Sequence, residues 1–201
     1  MIDITKKALN FATIKHEGQK RKGANPVDYI NHPIAVAQLV NKYLKKENKT
    51  LIAVAYLHDT LEDTNTTYEE LLTIFGKRIA NLVVELTSNK IECKKLGKAK
   101  YLSLKLNNMS NSALIVKLCD RLSNVTDLIS TNYLFRKKYF NETITILNYI
   151  LKNRNLNKIH KEIINDIMHK LNNIFDATPL IDYNEYEQLN KIKELISIKA
   201  S

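Results

Sequence analysis

The chain has 201 residues, of which 44% are hydrophobic and 26% charged, a composition typical of a globular protein with a sizeable core. No window reaches the roughly 18–20 continuous apolar residues of a membrane span. The start, MIDITKKALNFA, lacks the apolar region of a secretory signal. Its two cysteines, Cys93 and Cys119, fit neither a zinc pair nor a disulfide framework. We therefore expect a cytoplasmic protein with reduced cysteines and no membrane anchor.

The formal net charge of +10 leaves two classes of partner open. A basic protein can bind nucleic acid or another polyanion. Here the lysines are spread from Lys6 to Lys199, and no nucleic-acid-binding motif accompanies them. We favour a solvated basic surface that attracts an anionic small molecule over a true nucleic-acid partner.

Four Gly and three Pro in the whole chain leave few helix breakers and favour long helices with short connections. The first helix is predicted from about 4 to 16, behind the cap Asp3, and the polar loop 18–29 follows it. A second helix is expected to start near Pro33, since proline suits a first helical turn. A third is predicted from about 50 to 61.

Two helices are expected next. The sequence TYEE, which starts at Thr67, is a capping box that opens one helix, and Gly76 ends it. The next helix covers 77–87. The polar, lysine-rich segment 88–109 is predicted to be a loop followed by a helix near 95–106.

The remaining helices are predicted from apolar residues at helical spacing, over 112–129, 136–152, 157–175 and 183–198, with a break at Thr178-Pro179. No alternating strand pattern longer than a few residues interrupts them. The sequence thus predicts an all-α fold. We expect one domain over 1–201, with a motif-bearing core at about 4–130 and a helical remainder at about 131–201. The histidines of the remainder, His160 and His169, are expected at the surface.

Four ionisable side chains directly follow the apolar run LIAVAYL, and they are His58, Asp59, Glu62 and Asp63. On a continuous helix His58 shares a stripe with Glu62, and the two aspartates share the adjacent stripe. Buried, unpaired carboxylates are costly, so such a group needs a cation or a hydrogen-bond network. The alternative is a solvated helix end with side-chain pairs one turn apart.

Two residues elsewhere in the sequence favour a bound cation over a solvated helix end. His32 stands at the entrance of a predicted helix, and Asp120 is a charge inside the apolar stretch VKLCDRL. Each alone has an ordinary explanation, a helix cap for His32 and an ion pair with Arg121 or Arg136 for Asp120. Together with the HD pair they make two imidazoles and two carboxylates on three helices, namely His32, His58, Asp59 and Asp120. Such a set suits a divalent metal such as Mn²⁺, Fe²⁺ or Zn²⁺.

The order H…HD…D behind an apolar helix resembles the HD superfamily of metal-dependent phosphohydrolases. The segments FATIKHEGQKRK, YINHPIAVAQLV, AVAYLHDTLEDTNTTYEELLTIFG and VKLCDRLSNVTDL resemble successive motifs of the RelA/SpoT-type alarmone hydrolases, most closely the small stand-alone members. The similarity covers about residues 8–130. It implies a compact HD-domain bundle of helices with a metal site between them.

The resemblance also implies roles for individual residues. The metal ligands would be His32, His58, Asp59 and Asp120, and the family's usual metal is Mn²⁺. Glu62 and Asp63 match the acidic pair that acts on the attacking water. Arg21 and Lys22 match the basic pair beside the nucleotide, and Asn124 matches the residue that contacts the nucleoside.

Family members hydrolyse the 3′-pyrophosphate of (p)ppGpp to GDP or GTP and pyrophosphate, so the resemblance implies an enzyme that lowers the stringent-response signal. The same metal centre would serve related nucleotides, so ppApp and the 2′-phosphate of NADPH stay open as substrates. A non-catalytic basic module that binds nucleotides or nucleic acid is the alternative from another class. The intact ligand set and the intact acidic pair argue against that alternative.

Overall fold

The structure, a computed structural model, describes residues 3–21 and 27–176, together with 187, 190–192, 194 and 196. Its regular elements over these residues are helices, as predicted. They are α1 (Ile4–Lys15), α2 (Asn31–Leu44), α3 (Lys49–Leu57), α4 (Thr60–Asp63), α5 (Tyr68–Phe75), α6 (Lys77–Leu86), α7 (Lys90–Leu96), α8 (Lys98–Asn108), α9 (Asn111–Asp127), α10 (Tyr133–Asn153) and α11 (Lys158–Asp176), with a 3-10 turn at Leu128–Ser130.

The chain divides into two compact units. The first comprises Met1–Ser88 and Ser110–Ser123, and the second comprises Asn89–Met109 and Asn124–Ser201. In the first unit, α3 packs against α1, α2 and α6. Its sequence, KTLIAVAYL, is apolar on several sides, which allows neighbours to enclose it.

The end of α3 is deeply buried in the first unit. Ala53, Val54, Ala55 and Leu57 are all fully buried. On α1, Ala8 and Ala12 are fully buried too, and their small side chains allow the two helices to approach closely. The end of α3, which leads into His58, is therefore rigid and enclosed by the core.

Leu57→Ala should lower the free energy of unfolding by about 3 kcal/mol, because the variant leaves a cavity in a packed core. Chemical denaturation followed by circular dichroism measures the change. Leu72→Ala is the matched control, since Leu72 is 38% exposed on α5 and its truncation removes little buried contact. Equal losses in the two variants would show that α3 is not the rigid support described.

The prediction of one helix from 50 to 61 is wrong, because the chain turns at His58 and Asp59 between α3 and α4. Two side chains form hydrogen bonds to backbone carbonyl oxygens that, in a continuous helix, would accept backbone N–H groups. His58 Nδ1 lies 2.8 Å from the oxygen of Ala55, and Thr60 Oγ1 donates to the oxygen of Leu57 at 2.8 Å. This competition for backbone acceptors favours a turn over a regular helix.

The segment 88–109 holds two helices rather than a loop and one helix. Asn89 opens α7, since its side-chain oxygen accepts the N–H groups of Ile91 at 3.0 Å and Glu92 at 3.2 Å. Gly97, with φ of 80°, then separates α7 from α8. A positive φ suits glycine and allows two helices to follow each other closely.

The capping box at Thr67 is half formed. Thr67 Oγ1 accepts the N–H of Glu70 at 3.2 Å, as predicted, and α5 ends at Gly76, where φ is 81°. The Glu70 carboxylate instead lies 3.0 Å from Lys15 Nζ, which joins α5 to α1.

In the second unit, α8 packs against α10 and α7. Arg154 donates to the backbone oxygens of Leu106 and Asn107, at 2.8 and 2.9 Å. The predicted helices at 136–152 and 157–175 are present as α10 and α11. The predicted break at Thr178-Pro179 and most of the helix at 183–198 lie outside the described residues.

The prediction of a surface position is wrong for one of the two histidines in this unit. His169 is exposed, whereas His160 is fully buried. His160 lies at helical spacing from Ile163, Ile164 and Ile167, which are also buried, so it belongs to the apolar face of α11.

Among the described residues, no helix combines the length and the apolar character that crossing a membrane requires.

Candidate metal centre

Three of the predicted ligands lie close together in the first unit. One donor atom from each of His32, His58 and Asp120 falls within 4.8 Å of the others, and all three side chains are buried. The fourth predicted ligand adjoins them, since Asp59 Oδ2 lies 3.0 Å from His58 Nε2 and 3.8 Å from His32 Nε2. The fold thus gathers two imidazoles and two carboxylates from three segments that are distant in sequence.

Three different local structures place the four predicted ligands. His32 is on the first turn of α2, and Asp120 is in the middle of α9. His58 and Asp59 occupy the turn after α3. The break in that helix directs both side chains to the cluster. On a regular helix, successive side chains point about 100° apart and would converge less well.

Both imidazoles are oriented by a hydrogen bond at the nitrogen that faces away from the cluster. His58 Nδ1 donates to the carbonyl of Ala55, and His32 Nδ1 lies 3.2 Å from Ser123 Oγ. Each Nε2 is then directed to the carboxylates. Metal-binding histidines are typically fixed in this way, which sets the tautomer and the ring orientation.

The surroundings of His58 fit a bound cation. Its Nε2 is buried and has no hydrogen-bond partner among the described residues. The 3.0 Å approach to Asp59 Oδ2 is close but is not aligned as a hydrogen bond. A buried polar atom without a partner is costly, and a divalent metal accepts this imidazole nitrogen together with carboxylate oxygens.

The two oxygens of Asp120 have different partners. Oδ1 lies 3.1 Å from His32 Nε2, and Oδ2 lies 2.9 Å from Lys117 Nζ. The ammonium therefore holds one oxygen and leaves the other directed to the histidines.

Charges in the cluster shift the pKa values of its members. Burial raises the pKa of Asp120, but Lys117 and the histidines outweigh it and hold that pKa well below its usual value. Burial lowers the pKa of Lys117, and the carboxylates of Asp120 and Asp59 more than reverse this. For His58, burial lowers the pKa, and the carboxylates of Asp59 and Asp120 raise it above the usual value. Metal binding would compete with protonation of this imidazole, since ligation requires neutral histidine.

Lys117→Met should reduce the free energy of unfolding of the metal-free protein by about 3 kcal/mol, because it leaves a buried carboxylate without its ammonium. The Lys117 and Asp120 side chains are only 12% and 10% exposed. Lys20→Met is the control, since Lys20 pairs with Asp28 at the surface, where the two side chains are 55% and 64% exposed. That exposed pair should contribute little to the free energy of unfolding. Denaturant titrations compare the variants, and similar losses would refute the assigned role of Lys117.

The two acidic residues after the HD pair differ in their surroundings. Glu62 is half-buried, and its Oε2 accepts the N–H of Ser88 at 2.8 Å. Asp63 is exposed, and its backbone oxygen accepts a hydrogen bond from Gln19 Nε2 at 2.8 Å. Glu62 is therefore held by a backbone N–H of a distant segment, while Asp63 is the more exposed of the two.

The predicted nucleotide-binding residues are placed unequally. Arg21 is half-buried, with its guanidinium carbon 5.9 Å from the centre of the Tyr29 ring. Lys22 lies outside the described residues. Asn124 is half-buried on α9, one turn after Asp120, and belongs to the second unit.

Several contacts at the cluster were missed from the sequence. Lys117 and Ser123 lie three residues before and after Asp120, a spacing that could have placed them on its face of the helix. Tyr29, whose hydroxyl donates to Asp59 Oδ2 at 2.6 Å, and Ser88 gave no such signal. Their contacts arise only when distant segments pack together.

Comparison with known proteins places the chain in a family. A family model described as an HD domain matches residues 8–155. The chain is 39% identical over 121 residues to guanosine-3′,5′-bis(diphosphate) 3′-pyrophosphohydrolase MESH1 of Xenopus tropicalis, an alignment that covers 60% of this chain and 67% of the frog protein.

Two further similarities extend the comparison. A guanosine-3′,5′-bis(diphosphate) 3′-pyrophosphohydrolase of Aquifex aeolicus is 42% identical over 149 residues, which are 70% of this chain but only 20% of that protein. A solved structure described as a metazoan ortholog of SpoT that hydrolyses ppGpp superposes with a TM-score of 0.68 at 25% identity, over 89% of this chain and 97% of the other. The chain belongs to the HD-domain family, among its MESH1- and SpoT-like members.

Proposed function

We propose that the chain is a metal-dependent (p)ppGpp 3′-pyrophosphohydrolase that acts in the cytoplasm on a small-molecule nucleotide. The observation that carries the proposal is the cluster of His32, His58, Asp59 and Asp120, followed one turn later by the carboxylate of Glu62. The similarity to proteins named for this hydrolysis supports it. The HD-domain match over 8–155 includes residues of both compact units and supports a single hydrolase domain over 1–201.

The metal would be held by the two imidazole Nε2 atoms and the two carboxylates of the cluster, and we propose Mn²⁺ as the ion. Nitrogen and oxygen donors of this kind suit Mn²⁺ as well as Fe²⁺ and Zn²⁺. When bound, such an ion lowers the pKa of water and polarises a phosphoryl oxygen. The hydrogen bonds to Ala55 and Ser123 keep the imidazoles oriented for that role.

Glu62 and Asp63 are proposed to move the protons of the reaction. Hydrolysis breaks the bond between the 3′ oxygen and phosphorus, and the water oxygen becomes part of the released pyrophosphate. One water proton must leave the attacking oxygen, and the 3′ oxygen must gain one. Glu62, held by the N–H of Ser88, suits the first transfer, and the exposed Asp63 suits exchange with solvent.

We propose that Arg21 stacks on the base, Lys22 lies near the nucleotide and Asn124 contacts the nucleoside, as the resemblance to the family implies. A guanidinium can stack on a planar base and tolerate nearby phosphates. The net charge of +10 would also raise the local concentration of a polyanionic nucleotide.

The test is to incubate the purified protein and Mn²⁺ in parallel with ppGpp, ppApp and NADPH, and to follow pyrophosphate and phosphate release. The proposal expects pyrophosphate from ppGpp at the highest kcat/KM. Preferred release from ppApp, or of phosphate from NADPH, would keep the metal chemistry and replace the substrate. Metal binding without turnover of any of the three would refute the enzymatic function.

A further inference from the structure

Tyr29 lies between the metal cluster and the loop that carries Arg21. Its hydroxyl donates to Asp59 Oδ2 at 2.6 Å. Its ring centre is 4.8 Å from that of His16 and 5.9 Å, in an edge-on arrangement, from that of His32. One side chain therefore contacts a predicted ligand through its polar end and packs beside another through its ring.

The hydroxyl contacts the oxygen of Asp59 that matters most for the cluster. Oδ2 is the atom that approaches both imidazoles, at 3.0 Å from His58 Nε2 and 3.8 Å from His32 Nε2. An ionised carboxylate can only accept hydrogen bonds, so the phenol must be the donor.

The ring of Tyr29 also supports Arg21. The guanidinium carbon lies 5.9 Å from the ring centre, within the range of a cation–π contact. The backbone holds the two residues in register, because the N–H of Arg21 donates to Val27 and the N–H of Tyr29 donates to Gln19, both at 2.9 Å. Arg21 is thus placed relative to the cluster by the same ring whose hydroxyl contacts Asp59.

We propose that Tyr29 is a positioning residue with two separable parts, a hydroxyl that sets Asp59 for metal binding and a ring that sets Arg21 for nucleotide binding. The second part rests on the proposed function. The first part does not, because it concerns only the affinity of the cluster for a metal.

Metal affinity tests the hydroxyl. Calorimetric titration of metal-free Tyr29→Phe with Mn²⁺ should show an affinity about 10-fold weaker than that of the unmodified protein, as is usual when an outer partner of a ligand is lost. Tyr68→Phe is the matched control, since it removes a surface phenol that donates to Asn81 at 2.8 Å. It should bind Mn²⁺ normally. An unchanged affinity in Tyr29→Phe, with thermal unfolding unchanged, would overturn the first part.

The ring is tested by comparing two variants with ppGpp. Tyr29→Phe keeps the ring, so KM should stay the same and kcat should fall at limiting Mn²⁺. Tyr29→Leu removes the ring, so KM should also rise about threefold, the value of a cation–π contact at a partly exposed site. Adding Tyr29→Leu to Arg21→Ala should raise KM no further. An unchanged KM in Tyr29→Leu, or fully additive effects, would overturn the second part.

The two proposals can fail separately. If the unmodified protein hydrolyses no nucleotide, the proposed function fails, yet the titrations with Mn²⁺ still decide whether the hydroxyl of Tyr29 positions Asp59. If the protein hydrolyses ppGpp and Tyr29→Phe binds Mn²⁺ normally, the function stands and the role of the hydroxyl is refuted, while the KM of Tyr29→Leu still decides the role of the ring.

Discussion

Asp120→Asn is expected to remove divalent-metal binding and nucleotide hydrolysis together. Asparagine has the size of aspartate but no charge, so the cluster loses a ligand that also pairs with Lys117 at 2.9 Å. Metal affinity should fall by more than about 100-fold, because loss of an outer partner alone costs about 10- to 100-fold. Bound metal is measured by elemental analysis after gel filtration, and hydrolysis by pyrophosphate release.

Glu92→Gln is the control for this variant. It removes one carboxylate charge by the same isosteric change, from an exposed position on α7. Both metal content and hydrolysis should be unaffected. Retained metal in a folded Asp120→Asn protein would contradict the ligand assignment, and retained hydrolysis without metal would contradict the metal dependence.

Glu62→Gln should separate the metal from the chemistry. The amide oxygen can still accept the N–H of Ser88, so the turn after α3 should keep its geometry. The variant cannot take a proton from water, and kcat should fall by about 10²- to 10⁴-fold, the range for loss of a general acid or base. Calorimetry should show an essentially unchanged affinity for Mn²⁺.

The comparison variant for Glu62 is Glu69→Gln, an exposed carboxylate at the start of α5. It should have the kcat of the unmodified protein. Loss of metal in Glu62→Gln would mean that Glu62 is a ligand rather than a proton carrier. A kcat near that of the unmodified protein would leave proton transfer to another group.

Helices with strong local signals were predicted well. Thr67 and Gly76 mark the two ends of α5, and the apolar repeat over 112–129 corresponds to α9 and the turn after it. The errors have local causes that propensity does not reveal. At His58 the side chains compete with the backbone for carbonyls and break the helix, and at Asn89 a single cap opens a helix in a segment that looks like a loop.

The cluster was predicted as a set of residues but not as an arrangement. His32, His58, Asp59 and Asp120 stand out in sequence because charged or polar groups interrupt apolar helices, and the resemblance connects them. The sequence gives no sign that Tyr29 contacts Asp59 or that Ser88 holds Glu62, since those contacts join segments about 30 and 26 residues apart. The residues that hold the side chains of a site in place are brought there by packing, so they can be identified only once the fold is known.

The most direct test of the account is a titration of metal-free protein with Mn²⁺ in the presence of ppGpp, with pyrophosphate release and bound metal followed together. Metal-free protein should release no pyrophosphate, and activity should rise in proportion to bound metal and level off at one ion per chain. Equal release with and without metal, or a fully loaded protein that leaves ppGpp intact, would contradict the assignment of His32, His58, Asp59 and Asp120 as the metal centre of a (p)ppGpp hydrolase.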